Sequence, residues 1–187
     1  SEMCIRDSLF TAQDLFGMEV ASDAQISPDG GQIAYVRQTA DIMTDRMRPT
    51  IWLIDVKTGR HSPLIASAGS HRQPRWSPDG TRLSYISSAE GGAPQLFVRW
   101  MASGESVRVT NLPNTPSSVS WSPNREQLAY SVLVPGEKPK IGSPLAKPEG
   151  AQWAPPLEII DSVSYRSDGQ GYLCLLYTSP SPRDQRG

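Results

Sequence analysis

The strongest constraint on this chain is a short phrase that returns at nearly even spacing. Ile26-Ser27-Pro28-Asp29-Gly30-Gly31-Gln32-Ile33-Ala34-Tyr35-Val36 recurs as Trp76-Ser77-Pro78-Asp79-Gly80-Thr81-Arg82-Leu83-Ser84-Tyr85-Ile86. It recurs again as Trp121-Ser122-Pro123-Asn124-Arg125-Glu126-Gln127-Leu128-Ala129-Tyr130-Ser131, and a reduced fourth copy, Tyr165-Arg166-Ser167-Asp168-Gly169, lacks the proline. The steps between copies are 50, 45 and 44 residues, a period that belongs to arrays of one supersecondary unit.

Each copy makes physical sense as strand, tight turn, strand. Proline presets φ at the second turn position, serine and aspartate can bond nearby backbone, and glycine at the fourth position accepts positive φ. Arg125 stands where that glycine is expected, at a cost of about 1 kcal/mol if the backbone is left-handed there. The alternation Ile33-Ala34-Tyr35-Val36, or Leu83-Ser84-Tyr85-Ile86, then starts a half-buried strand. A second apolar run follows, Ile51-Trp52-Leu53-Ile54-Asp55 in the first unit and Leu96-Phe97-Val98-Arg99-Trp100 in the second. Lys57-Thr58-Gly59 and Ala102-Ser103-Gly104 turn the chain into short strands near His61–Ile65 and Ser106–Thr110. Four strands in about 45 residues are the signature of a propeller blade. The expected fold is therefore all-β: a partial β-propeller of about three four-stranded blades and the start of a fourth.

Composition agrees with this and removes other classes. The 17 prolines and 15 glycines are spread along the chain, which suits many short strands and turns. With 18 Lys+Arg against 19 Asp+Glu, electrostatics give no reason to expect nucleic acid or an anionic membrane as partner. No apolar run approaches the roughly 18 residues of a membrane-spanning helix.

Two segments depart from the repeat. Phe10 to Gly17 reads as a short N-terminal helix, with Thr11 as N-cap, Asp14 three residues on, Phe10 and Leu15 as a staple, and Gly17 as terminator. From Pro135 to Pro156 six prolines fall close together, so an extended loop is expected before strand character returns at Leu157–Asp161.

Both chain ends read as foreign. Ser1–Ser8 can be written TCG GAG ATG TGT ATA AGA GAC AG, whose reverse complement in a shifted frame encodes Cys-Leu-Leu-Tyr-Thr-Ser-Pro, the sequence of Cys174–Pro180. Both ends resemble translated transposon sequencing adapter, so residues 1–8 and 174–187 are expected to be non-native and 9–173 to form the propeller domain. Cys4 and Cys174 lie in those ends, which leaves no disulfide, thiol nucleophile or cysteine-based metal site in 9–173.

The opening helix leading into Val20–Gly30, the Trp-Ser-Pro-Asp-Gly series, and Lys147-Pro148-Glu149-Gly150-Ala151-Gln152-Trp153 running on to Tyr165–Tyr172 together resemble the amino-terminal propeller of prolyl oligopeptidase family serine peptidases. The likeness is to the dipeptidyl aminopeptidase and acylaminoacyl peptidase branch, and it covers nearly all of 9–173. It implies a parent in which this propeller caps a carboxy-terminal α/β-hydrolase domain whose Ser-Asp-His triad hydrolyses peptides. No Gly-x-Ser-x-Gly nucleophile elbow occurs in this chain, so no catalytic residue is assigned, and no cofactor or metal. The implied partners are a peptide substrate and the hydrolase domain. The alternative is a non-enzymatic periplasmic propeller resembling the translocation protein TolB, which binds protein partners.

Several side chains invite sharper readings. His61 and His71 lack a visible third metal ligand, so structural roles are expected. Asp29, Asp79 and Asp168 recur as ligands would, but turn formation explains them. Trp76, Trp121 and Tyr165 share one repeat position and fit core or inter-blade packing better than a stacking platform. Arg99, Glu105 and Arg108 could reach a central cavity and meet a peptide terminus, although ordinary surface charge accounts for them. Gly91-Gly92 and Gly169-Gln170-Gly171 read as turns, since no phosphate-loop Lys-Ser/Thr follows.

Overall fold

The computed structural model describes residues 11, 13–134, 146–154, 166–167 and 171–172. Residues 1–8, 174–187, Leu157–Asp161, Tyr165, Asp168 and most of the Pro135–Pro156 loop lie outside them. Two four-stranded antiparallel sheets dominate, each in simple sequential order. The first, blade 1, contains β1 (Glu19–Ile26), β2 (Gln32–Asp41), β3 (Arg46–Asp55) and β4 (His61–Ile65). Blade 2 contains β5 (His71–Trp76), β6 (Arg82–Ser87), β7 (Gln95–Trp100) and β8 (Ser106–Arg108). A third sheet holds β9 (Pro116–Trp121) paired with β10 (Leu128–Val132). The all-β reading and the blade repeat hold.

The turns of the first three copies form as their residues dictate. Ser27 accepts from Gln32 N–H (2.9 Å) and donates to Asp29 (2.6 Å), while Gly30 N–H closes on the Ser27 carbonyl at 2.8 Å. Ser77, Asp79, Gly80 and Arg82 repeat this set, and so do Ser122, Asn124, Arg125 and Gln127. φ is +73° at Gly30, +69° at Gly80 and +59° at Arg125, so the arginine does carry the left-handed backbone. It is tied across the seam: its guanidinium reaches Asp79 at 3.2 Å and its carbonyl accepts from Arg82 at 2.8 Å.

Blades 1 and 2 meet face to face. Ala34, Ile51 and Ile65 of blade 1 pack with Leu83, Tyr85 and Phe97 of blade 2. The opposite face of blade 2 is covered in turn, where Ile86 and Leu96 pack with Val119 and Leu128 of the third sheet. Blade 2 is therefore buried on both sides, and five consecutive β6 residues, Leu83 to Ser87, are inaccessible. That explains why its strands read as near-continuous apolar runs with small serines between them.

The start is shorter than the sequence suggests. Helix α1 spans Asp14–Gly17, and no residue in it is buried. Asp14 accepts from both the amide (2.7 Å) and the hydroxyl (2.8 Å) of Thr11. Gly17 has no left-handed backbone, because the chain runs straight into extended Met18 and then β1. Phe10 lies outside the described residues.

The segment from Leu133 onward forms a separate unit. Within it, β11 (Arg166–Ser167) pairs with β12 (Gly171–Tyr172) as a hairpin where the fourth copy of the phrase lies. Pro148 and Ala151 close a turn at 3.2 Å with Gly150 at φ +78°.

Strand parity fixes one more property. Four antiparallel strands return the chain to the side on which it began, so α1, the Ile42–Asp45 turn and the Ala66–Ser70 link between blades share one end of the blades. The Ser-Pro-Asp-Gly turns occupy the other end.

Candidate functional site

The first strands of the successive blades, β1, β5 and β9, lie side by side. Each is bulged at the same place. Asp23 and Ala24 oppose Tyr35 alone, Gln73 and Pro74 oppose Tyr85, and Ser118 and Val119 oppose Tyr130. The first residue of each bulge is left-handed, with φ of +48° at Asp23, +53° at Gln73 and +51° at Ser118, and none is glycine. An extra residue bends its strand and increases the local twist, so the tyrosine repeat marks where every inner strand turns.

Here blades 1 and 2 are joined by charge. Arg75 Nη1 donates to Asp23 Oδ1 at 2.8 Å and Oδ2 at 2.9 Å, and to the Pro74 carbonyl at 2.7 Å. Gln25 Nε2 adds a bond to Asp23 at 3.2 Å. Both charged side chains are half-buried, where a charge-assisted pair gains from reduced screening. One blade step away, the Trp76 indole N–H donates to the Gln25 carbonyl at 3.1 Å, and Trp121 donates to the Arg75 carbonyl at 3.0 Å. Gln25 and Arg75 each precede the residue equivalent to these tryptophans in the blade before, so the same hydrogen bond is struck twice. Both indoles are half-buried, not sealed in the core. A cleft of about 360 Å³ between the three inner strands is lined by Gln25, Ile26, Arg75, Trp76, Val119 and Trp121.

The other candidates fall elsewhere. His61 Nδ1 lies 3.2 Å from the Tyr35 hydroxyl on the outer face of blade 1. His71 is 1% exposed and edge-on to Tyr85. Its Nε2 lies 3.1 Å from the Ser67 carbonyl and 3.2 Å from the Ser67 hydroxyl. The carbonyl fixes the Nε2–H tautomer, and among the described residues no carboxylate orients Nδ1, so these residues do not supply the Ser67–His71 pair with the base and the orienting acid that nucleophilic catalysis requires. Burial pushes the His71 pKa down. Asp29 and Asp79 serve the turns. The Ser27 hydroxyl and the Gly31 amide lower the Asp29 pKa, and the Ser77 hydroxyl is the main cause holding Asp79 far below the usual carboxylate range. Gly91 and Gly92 lie in the turn between β6 and β7 with φ of +78° and +70°.

Arg99, Glu105 and Arg108 do not reach the inner edge. They belong to β7, its turn and β8, the far side of a sheet whose inner strand is β5. Arg108 pairs there with exposed Glu90 at 2.8 Å. Their place agrees with the reading of ordinary surface charge over that of a contact to a central cavity; alternation of apolar and polar residues reports the face of a sheet, not the rank of a strand within it, so only the structure decides between the two. The Asp23–Arg75 pair was missed for a related reason: its members stand in different copies of the repeat, with no local spacing to connect them.

A family model described as TolB beta propeller domain, PD40, matches residues 16–141. The chain belongs to this family. The matched segment contains the three Ser-Pro-(Asp/Asn) phrases, each joining the first two strands of its sheet. Among curated relatives, the chain is 34% identical over 163 residues to the Bacillus subtilis protein named uncharacterized peptidase YuxL, which covers 87% of this chain and 24% of that protein. It is 30% identical over 82 residues to the Tol-Pal system protein TolB of Alcanivorax borkumensis, covering 44% of this chain and 19% of that one. Among solved structures, Pyrococcus horikoshii acylaminoacyl peptidase superposes with a TM-score of 0.62 at 17% identity, over 86% of this chain and 22% of that one. That likeness confirms the fold. The chain thus spans about a quarter of the length of the first of these relatives.

Proposed function

We propose that this PD40 propeller segment belongs to a serine-type peptidase, in which it caps a catalytic domain and limits what reaches it. One observation carries the reading. The match to the peptidase relative runs over 163 residues, past the 16–141 segment that the family model matches, whereas the match to TolB stops at 82. In the parent, a serine activated by histidine would attack the peptide carbonyl and an acyl-enzyme would be hydrolysed. The propeller contributes exclusion: rigid seams between blades, held by the Asp23–Arg75 pair and the two indole bonds, keep folded proteins out and leave passage to short peptides. We further propose that residues 9–173 are the native segment, supported by the complementary coding of the two ends.

The parent polypeptide should hydrolyse chromogenic peptides, and a serine-directed phosphonate should stop it. Absence of hydrolysis and of phosphonate labelling would favour the TolB-like reading. The flanking genome should lack codons for residues 1–8 and 174–187 next to those of 9–173.

A further inference from the structure

The two complete blades are not the same height. Strands β2 and β3 pair over ten residues each, from Gln32↔Asp55 to Asp41↔Arg46, while β6 and β7 pair over six, from Arg82↔Trp100 to Ser87↔Gln95. Gln32 and Arg82 occupy the same place in the repeat, so blade 1 rises four residues above blade 2, about 13 Å at 3.3 Å per residue. On the overhang the alternation continues, but past fully buried Pro49 the cover does not. Ala34 and Ile51 lie beneath blade 2. Higher up, Met47 on β3 is 43% exposed, and in the turn Ile42 is 56% exposed and Met43, at the tip, is 88% exposed. Polar groups brace the tip: Asp41 accepts from the Met43 amide at 2.9 Å and from the Thr44 hydroxyl at 2.9 Å, and Asp45 takes a left-handed backbone at φ +50°. A shaped turn that presents isoleucine and methionine to water at a blade end is a contact surface awaiting its cover.

The occupant follows from topology. Whole four-stranded blades return the chain to the end on which they began, the end that carries α1 and this hairpin. Polypeptide joined to any set of whole blades is therefore attached at that end, and the chain accounts for only 24% of the length of its peptidase relative. We infer that the Gln38–Pro49 hairpin of blade 1 is a docking arm on which the catalytic domain of the parent seats, covering Ile42, Met43 and Met47. This rests on the peptidase reading above and adds to it the place where the two domains are held in register.

The test uses the full parent polypeptide, with peroxide oxidation of Met43 followed by mass spectrometry. In the native protein Met43 should oxidise about tenfold more slowly than in the urea-unfolded chain, because oxidation tracks exposure. The protection should be the same at all concentrations at which light scattering reports a single copy. A photo-cross-linker attached at M43C should map to the domain whose serine takes a phosphonate. Oxidation at the unfolded rate overturns the proposal, as does protection that appears only on dimerisation, or a cross-link to another propeller strand or a second copy. A cross-link to a following domain that takes no phosphonate would support the docking arm and overturn the peptidase reading, so the two failures are distinct.

Discussion

Replacing Leu83 with alanine tests whether two blades truly share one core. Leu83 is fully buried and packs with Ala34, Ile51, Ile65, Tyr85 and Phe97. Leucine-to-alanine changes in cores cost about 2–5 kcal/mol, the larger values arising where the surroundings cannot collapse into the cavity. Here the ring of Tyr85 is stacked on Phe97 at 5.6 Å and held edge-on by His71, and β2 and β3 are held by a continuous ladder. Both walls are stiff, so we expect about 3–4 kcal/mol. With a urea slope near 2 kcal/mol/M, the midpoint of a fluorescence-monitored melt should fall by about 1.5–2 M. Val107→Ala, at an exposed position on β8, should stay within about 0.5 kcal/mol. Combining Leu83→Ala with Ile51→Val should show a coupling of about 0.5 kcal/mol or more, since the two side chains sit in one cluster from different blades. A loss under about 1 kcal/mol for Leu83→Ala, or strict additivity with Ile51→Val, would refute the face-to-face seam.

Three further outcomes are expected. Because burial depresses the folded pKa of His71 below its unfolded value near 6.5, the unfolded chain binds the extra proton first. Stability should be full above that value and fall as pH drops below it, levelling once the folded form is also protonated; His71→Gln should flatten that slope in melts run between pH 8 and 5. Trp76→Phe and Trp121→Phe should each cost about 0.5–1.5 kcal/mol for one lost hydrogen bond, and by similar amounts, since both indoles make the same bond. Gln95→Leu should cost more. The Gln95 amide oxygen accepts from the Thr110 hydroxyl and the Leu112 amide, both at 2.9 Å, and stranding buried donors costs about 1–3 kcal/mol each; an unchanged thermal midpoint would count against that network.

Much of this architecture is legible from residues that act locally. Pro28, Gly30 and their counterparts determine turn geometry within four residues, and the runs from Ile51 and Leu96 declare strands whatever lies around them. The His61–Ile65 strand forms with the expected limits. What escaped the sequence is set by neighbours in space. Aspartate has some tendency toward left-handed backbone, but glutamine and serine little, so only the packed inner strands force Gln73 and Ser118 there. The aromatic repeat suggested core or inter-blade packing, and the sequence did not decide between them. The half-buried indoles take the inter-blade role, each with its N–H aimed at the preceding blade, which only the three-dimensional pitch of the blades reveals.

Hydrogen exchange of the indole N–H protons, resolved by NMR and assigned by single Trp→Phe changes, tests the repeated seam most directly. Trp76 and Trp121 each donate across a blade boundary, whereas Trp100 and Trp153 are exposed. The account predicts slow exchange at Trp76 and Trp121, with each becoming fast when Leu83→Ala or Val119→Ala loosens its seam, and fast exchange at Trp100 and Trp153 throughout. Equal exchange at all four indoles would contradict the packing of these sheets as successive propeller blades.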